Sequence, residues 1–316
     1  MSFNVQKAVR EKIYPKIALM APSGGGKTYS ALRLSKGMAE ELKKIKNKEI
    51  KILMANTEQK RGYYYADEFT YDIVDIDAPH EPERYVELIN FAVAEGYDIL
   101  IIDSSSHEWE GKGGCLEIHQ KAGGRYQDWS KVSPRHDRFI NAIAESHIAI
   151  IATMRGKDQY VMSEGQNNSG GSKTKVEKIG VGAKQRDGFE YEFTCTFLLD
   201  QKTNAAEPFK DNTHIFENEP AVKLTEEHGR KIIRWANSSD VEPKKAPTAE
   251  ELEAKKQEII QLCEEKKETG IDIKLLYGII SKHNKKKNPS YIKDISIANK
   301  IIEEINNIKN EEDGGE

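Results

Sequence analysis

The chain has 316 residues, 37% hydrophobic and 32% charged, with a formal net charge of −4 and a pI near 6.1. That length suits one large domain plus a smaller piece, and the acidic balance excludes a uniformly basic face for nucleic acid, so any such surface is a local patch. Cys115, Cys195 and Cys263 form no CxxC pair, which argues against a zinc site and a disulfide framework and suits a reducing compartment.

Lys16 to Ala21 reads as a short buried strand. From Thr28 the apolar residues Ala31, Leu34, Met38, Leu42 and Ile45 recur at helical spacing. Residues 50–56 and 71–76 read as strands. Pro82, at an acceptable first-turn position, opens a helix to about Glu95. Residues 98–103, DILIID, are apolar on both faces, as the centre of a parallel sheet requires. A helix from about Pro134 to Ser146 leads into a buried strand at 147–153. Alternation of this kind predicts a parallel sheet covered by helices. Residues 155–186, rich in Gly, Ser, Asn and Lys, read as a long loop of functional or disordered type. Strands are expected at 188–200 and 213–217, and a helix from Thr225 to Asn237 closes the core.

The boundaries expected are a domain at 1–238, a polar linker at 239–247 and a small helical domain at 248–316. Thr248 with Glu251 makes a capping box before the amphipathic positions Leu252, Ile259, Leu262 and Cys263. Further helices are expected around 272–283 and 290–309. Ile292, Ile295, Ala298, Ile301, Ile302, Ile305 and Ile308 form an apolar stripe, read as that domain's own core. No apolar run reaches the length of a membrane span, and the N-terminal segment lacks the apolar core of a signal peptide, so a cytosolic location is predicted.

The stretch Ala21 to Thr28, APSGGGKT, fits a phosphate-binding loop between strand and helix, with alanine where the strictest pattern has its first glycine. Glycines let successive N–H groups face phosphates without a Cβ in the way, and the helix dipole adds to this. The phosphate-contacting set is Pro22, Ser23, Gly24, Gly25, Gly26, Lys27, Thr28 and Tyr29. Lys27 would reach the β- and γ-phosphates; Thr28 and Asp103, at the end of its apolar strand, would ligate Mg²⁺. Glu58, just past strand 50–56, is placed to orient or deprotonate the attacking water. His107, His119, His136 and Cys115 match no zinc spacing and read as structural or exposed.

Ser104 follows Asp103 where another ATPase class has its glutamate, and the guanine-reading NKxD motif is absent. APSGGGKT, GYYYADEF, YDILIIDSSSHEWEGKGG, SPRHDRFINAI, AIIATMR and QRDGFEYEF together resemble the phage-encoded RecA-like ATPases, some of them described as Sak-type single-strand annealing or recombination proteins. The likeness covers about residues 13–237. It implies an α/β RecA-like P-loop core with a mainly parallel sheet, followed here by the helical appendage. It also implies ATP and Mg²⁺ as cofactors, work on single-stranded DNA in the host cytoplasm, and a homo-oligomeric ring or filament. Arg186 would be the finger reaching a neighbour's ATP. In such proteins DNA lies against loops after the fourth and fifth core strands, here 104–132 and 155–186.

The second of these holds Arg155, Lys157, Lys173, Lys175, Lys178, Lys184 and Arg186 against Asp158, Glu164 and Glu177, seven minus three, net +4. Lys173, Lys175 and Lys178 are its candidate DNA contacts, and Trp109, Tyr126, Trp129 and Tyr160 are placed to stack on bases. A mobile solvated loop is the alternative. The helical domain is a candidate docking site for a phage or host replication or recombination protein. Two other functions stay open: a nucleotide-gated binding module with little turnover, and a P-loop small-molecule phosphotransferase.

Overall fold

A computed structural model describes residues 7–166, 172–217, 219–242, 249–284, 286–292 and 295–308, with side chains described outside 158–181, 249–250 and 295–296. The chain divides into two compact units, residues 1–243 and 244–316.

The first unit is built on β1 (Lys16–Ala21), β2 (Ile52–Asn56), β3 (Asp72–Asp75), β4 (Ile99–Asp103), β5 (Ala149–Gln166), β6 (Ser172–Ala183), β7 (Cys195–Leu199) and β8 (Ala206–Asp211). The sheet order is β3-β2-β4-β5-β1-β7-β8, with β6 off this path and paired to β5. Every pair from β3 to β7 is parallel and β8 is antiparallel to β7. Its helices are α1 (Lys27–Lys46), α2 (Pro82–Ala94), α3 (Ser106–Glu110), α4 (Cys115–Lys121), α5 (Trp129–Glu145) and α6 (Glu226–Ala236).

The apolar runs follow from burial on both faces. Ile17, Leu19, Ile99 and Ile101 pack with α1 and α6, while Ala18, Met20, Leu100 and Ile102 pack with α2 and α5. A strand covered on both sides has no polar face to alternate with. Because β1, β2, β4 and β5 are parallel, their C-terminal ends meet at one edge of the sheet, where open α/β folds bind ligands.

Four expectations are corrected. Within the expected loop at 155–186, residues 156–166 and 172–183 are strands: from Gly156↔Ala183 to Gln166↔Ser172, β5 and β6 form a long antiparallel hairpin. Ladder hydrogen bonds join backbone groups whatever the side chains, so the pairing leaves little hydrophobic signal. The strand read at 188–200 starts only at Cys195, after a 3₁₀ turn at Phe189–Tyr191, and β7 lies inside the sheet between β1 and β8. Residues 213–217 form a turn, held by Thr213 and Phe216 amides donating to Asp211 at 2.8 and 2.9 Å. Phe216 is buried from that turn, so its apolar signal marks burial without a strand. Finally, α5 begins at Trp129, five residues before Pro134, its first turn anchored by Trp129 stacking on His119 and Trp109.

The second unit holds α7 (Ala249–Glu268), α8 (Ile273–Asn284) and α9 (Ile295–Asn306). Ile292, Ala298, Ile301, Ile302 and Ile305 pack with Ile259, Leu276, Ile279 and Ile280. The apolar stripe is therefore this unit's core. The expected Thr248 cap lies outside the described residues.

Candidate nucleotide site

The phosphate loop turns between β1 and α1. Gly24 (φ 83°) and Gly26 (φ 77°) are left-handed, a region open to glycine at no steric cost. Gly25 is needed for space, since a Cβ there would lie 2.5 Å from that of Ala21. No carboxylate occupies the first turn of α1 and no side chain caps its start, so its leading amides are free for an anion. The Lys27 ammonium donates to the carbonyls of Ala21 and Pro22 at 2.9 and 3.1 Å. Burial lowers its pKa, against the pull of Asp103 and Glu58. From the β7–β8 turn, Gln201 donates to Ser23 O (2.8 Å) and Asn204 to Gly24 O (3.4 Å). Nothing in the sequence marks these two as loop supports, because they meet it only through the β1–β7 pairing.

Asp103 ends β4, buried. Thr28 Oγ1 donates to its Oδ2 at 2.6 Å, and Thr153 Oγ1 donates to Oδ1. Thr153 is in place because Ile102 pairs with Ala152 in the β4–β5 register. Burial raises the Asp103 pKa, and the Thr153 and Thr28 hydrogen bonds oppose the rise. A desolvated carboxylate beside a hydroxyl fits an oxygen-ligated divalent cation that keeps most of its waters. Thr28 and Asp103 are the residues that would hold it. The peptide bond from Asp103 to Ser104 is cis.

Glu58 follows β2. Arg155 donates to its Oε1 from Nε at 2.9 Å and from Nη2 at 2.7 Å, and Arg61 donates to Oε2 at 3.2 Å. Arg155, counted among the basic residues of the supposed loop, thus belongs to this site. Its strand runs parallel to β1, and the register sets Arg155 beside Ala21. Lys27, Thr28, Glu58, Arg61, Asp103 and Arg155 line one cleft of roughly 300 Å³.

Other candidates fall elsewhere. The Tyr29 side chain donates to Glu68 and packs on Tyr65 and Phe69, outside the cleft lining. Arg186 pairs with Asp137 at 2.7 Å and lines a separate cleft with Trp109, Tyr126, Trp129 and Lys157. The stretch 104–132 carries α3 and α4. Within it Trp109 stacks on Trp129 at 5.4 Å, while Tyr126 is 93% exposed. Lys173, Lys175 and Lys178 are on β6, opposite Gly165, Ser163 and Tyr160; their side chains, and that of Tyr160, lie outside the described residues.

Of the histidines, His136 is buried with Cys115 around Glu108, a cluster the spacing did not suggest. Glu108 accepts from Cys115 (3.1 Å) and Gln185 (3.2 Å) and shares a hydrogen bond with His136 Nδ1 (3.0 Å). These bonds make it a knot between α3, α4 and α5.

A parallel sheet with a glycine loop after β1, and an aspartate two strands away facing the loop's threonine, defines an α/β P-loop NTPase core of RecA-like type. The model of one AAA domain family matches residues 13–231, and the chain belongs to that family; the domain is an AAA-type nucleotide-binding P-loop domain. No curated protein matches the chain. Among the described residues no helix is long and apolar enough to cross a membrane.

Proposed function

We propose that the protein binds and hydrolyses ATP with Mg²⁺ and uses the cycle to act on single-stranded DNA, in annealing or strand exchange during phage recombination in the host cytoplasm. In this reading Lys27 and the loop amides hold the phosphates, Thr28 and Asp103 hold the metal, and Glu58 takes the proton of the attacking water. The observation that carries it is the meeting of Lys27, Thr28, Asp103 and Glu58 in one cleft. Support for the DNA step is geometric. The strand that brings Arg155 to Glu58 continues into the hairpin carrying Lys173, Lys175 and Lys178, so a ligand on the hairpin can be felt at the cleft. Arg186, partly exposed and outside its own cleft, suits a finger acting on a neighbouring protomer in a ring or filament.

The test is ATP hydrolysis with and without single-stranded DNA, duplex DNA and RNA. Stimulation by single strands is expected; turnover indifferent to all three overturns the DNA role. One observation favours the nucleotide-gated module as second reading. Both Glu58 oxygens are occupied by guanidinium groups, an arrangement that would keep hydrolysis slow whatever DNA is present.

A further inference from the structure

Next to the nucleotide cleft lies a second one of roughly 670 Å³. The two share Glu58, Arg61, Tyr64 and Arg155. His80, His107, Glu110 and Lys112 line its remaining wall.

Lys112 is held there by the turn Gly111-Lys112-Gly113-Gly114. A Cβ on Gly111 would come within 2.5 Å of His107 O and 2.8 Å of the His80 ring; one on Gly113 would lie 2.4 Å from Pro79 Cβ. Only glycine fits this close to His80, whose N–H donates to Lys112 O at 2.8 Å. The exposed Lys112 side chain makes no hydrogen bond or ion pair among the described residues.

The lining has three cations, Arg61, Lys112 and Arg155, against two carboxylates, Glu58 and Glu110. The carboxylates already have partners: Glu58 the two arginines, Glu110 Arg155 at 3.7 Å and Lys184 at 3.5 Å. His80 and His107 stack at 5.0 Å. Burial lowers both pKa values, His80 to about 4, so they add no charge to the cleft at pH 7. Lys112, which forms no ion pair among the described residues although its charge reaches Glu117, therefore stands in a polar cleft beside the place where a γ-phosphate would be cut.

We propose that this cleft is an oxyanion site that receives inorganic phosphate leaving the nucleotide cleft, with Lys112 and Arg61 as its contacts. The proposal rests on the hydrolysis reading. Water attack yields ADP and phosphate, and the shared wall lets phosphate pass Glu58 and Arg155 while ADP stays on the phosphate loop. No further covalent step is involved.

The test loads the full chain with ADP and Mg²⁺, checks occupancy with a fluorescent ADP, and titrates inorganic phosphate by calorimetry. Phosphate should bind with ADP in place. Lys112→Ala should weaken it roughly tenfold, the loss of one charge-assisted hydrogen bond, with ADP affinity unchanged and Lys112→Arg restoring it. A parallel titration with glycerol phosphate separates free phosphate from a phosphate ester; tighter binding of the ester overturns the assignment to released phosphate. Phosphate binding that ADP abolishes, or that Lys112→Ala leaves intact, overturns the site. Failure of ADP itself to bind would sink the nucleotide reading and this proposal together, a result distinct from ADP binding without phosphate.

Discussion

At the scale of single residues, the cleft places few charges at short range. Lys27 is the only side-chain cation within the phosphate loop, so Lys27→Ala is expected to abolish nucleotide binding in a titration with labelled ATP. Glu58→Gln should keep ATP binding and cut turnover by about 10²–10⁴-fold, as loss of a general base does. Hydrolysis at the parent rate would show that another carboxylate takes the proton. The loop, Asp103 and Glu58 were all legible in the sequence, because each stands at a fixed place after an apolar strand. Arg155, Thr153, Gln201 and Asn204 were not legible as site residues. They reach the loop, Asp103 or Glu58 through strand pairing between distant segments, which no local pattern reports.

Between elements, three features invite tests. The α1–α6 crossing is closed by glycines: a Cβ on Gly37 would lie 1.8 Å from Glu226 O and one on Gly229 2.2 Å from Leu34 O. Gly37→Ala must part the helices, and overpacking of this kind costs about 1–3 kcal/mol or more; urea unfolding at unchanged midpoint would refute the close packing. Across α2 and α5, Arg135 donates to both Glu83 oxygens at 2.8 and 2.6 Å. That bond holds the Glu83 pKa at about 2, below the ordinary 4.5. The sign follows from the unfolded chain binding the proton first as pH falls. The contribution is whole above about pH 4.5 and disappears as pH drops towards 2. Arg135→Gln should therefore lower stability at neutral pH and flatten its fall across that window, measured by thermal unfolding at a series of pH values. The hairpin is the third case. Alanine at Lys173, Lys175 and Lys178 should flatten the log–log salt dependence of single-stranded DNA binding by up to roughly 2 units, at about 0.7 per phosphate contact. An unchanged slope moves the DNA contact elsewhere.

For the molecule as a whole, the prediction concerns copies of the chain. If Arg186 serves a neighbour's site, activity per protomer should rise with protein concentration. Mixing Arg186→Ala with Glu58→Gln protomers should then restore part of the activity, since one intact interface keeps both groups. A finger of this sort contributes about 10³–10⁵ in rate, so the rescue is large enough to read. Activity independent of concentration, with no rescue on mixing, excludes the trans role.

What the sequence determined by itself was local. Strand-loop-helix at 16–46, the doubly apolar strand ending at Asp103, and the apolar stripe of the last helix are set by side-chain periodicity and by glycine geometry within a few residues. Tertiary structure alone decided which strands lie side by side, and hence that Arg155 meets Glu58, that Thr153 meets Asp103, and that β7 is interior. It also decided that residues 156–166 and 172–183 pair as antiparallel strands. The reason is physical: helical and strand periods are written in neighbouring residues, whereas strand pairing joins segments separated in the chain through backbone hydrogen bonds that no side chain need announce.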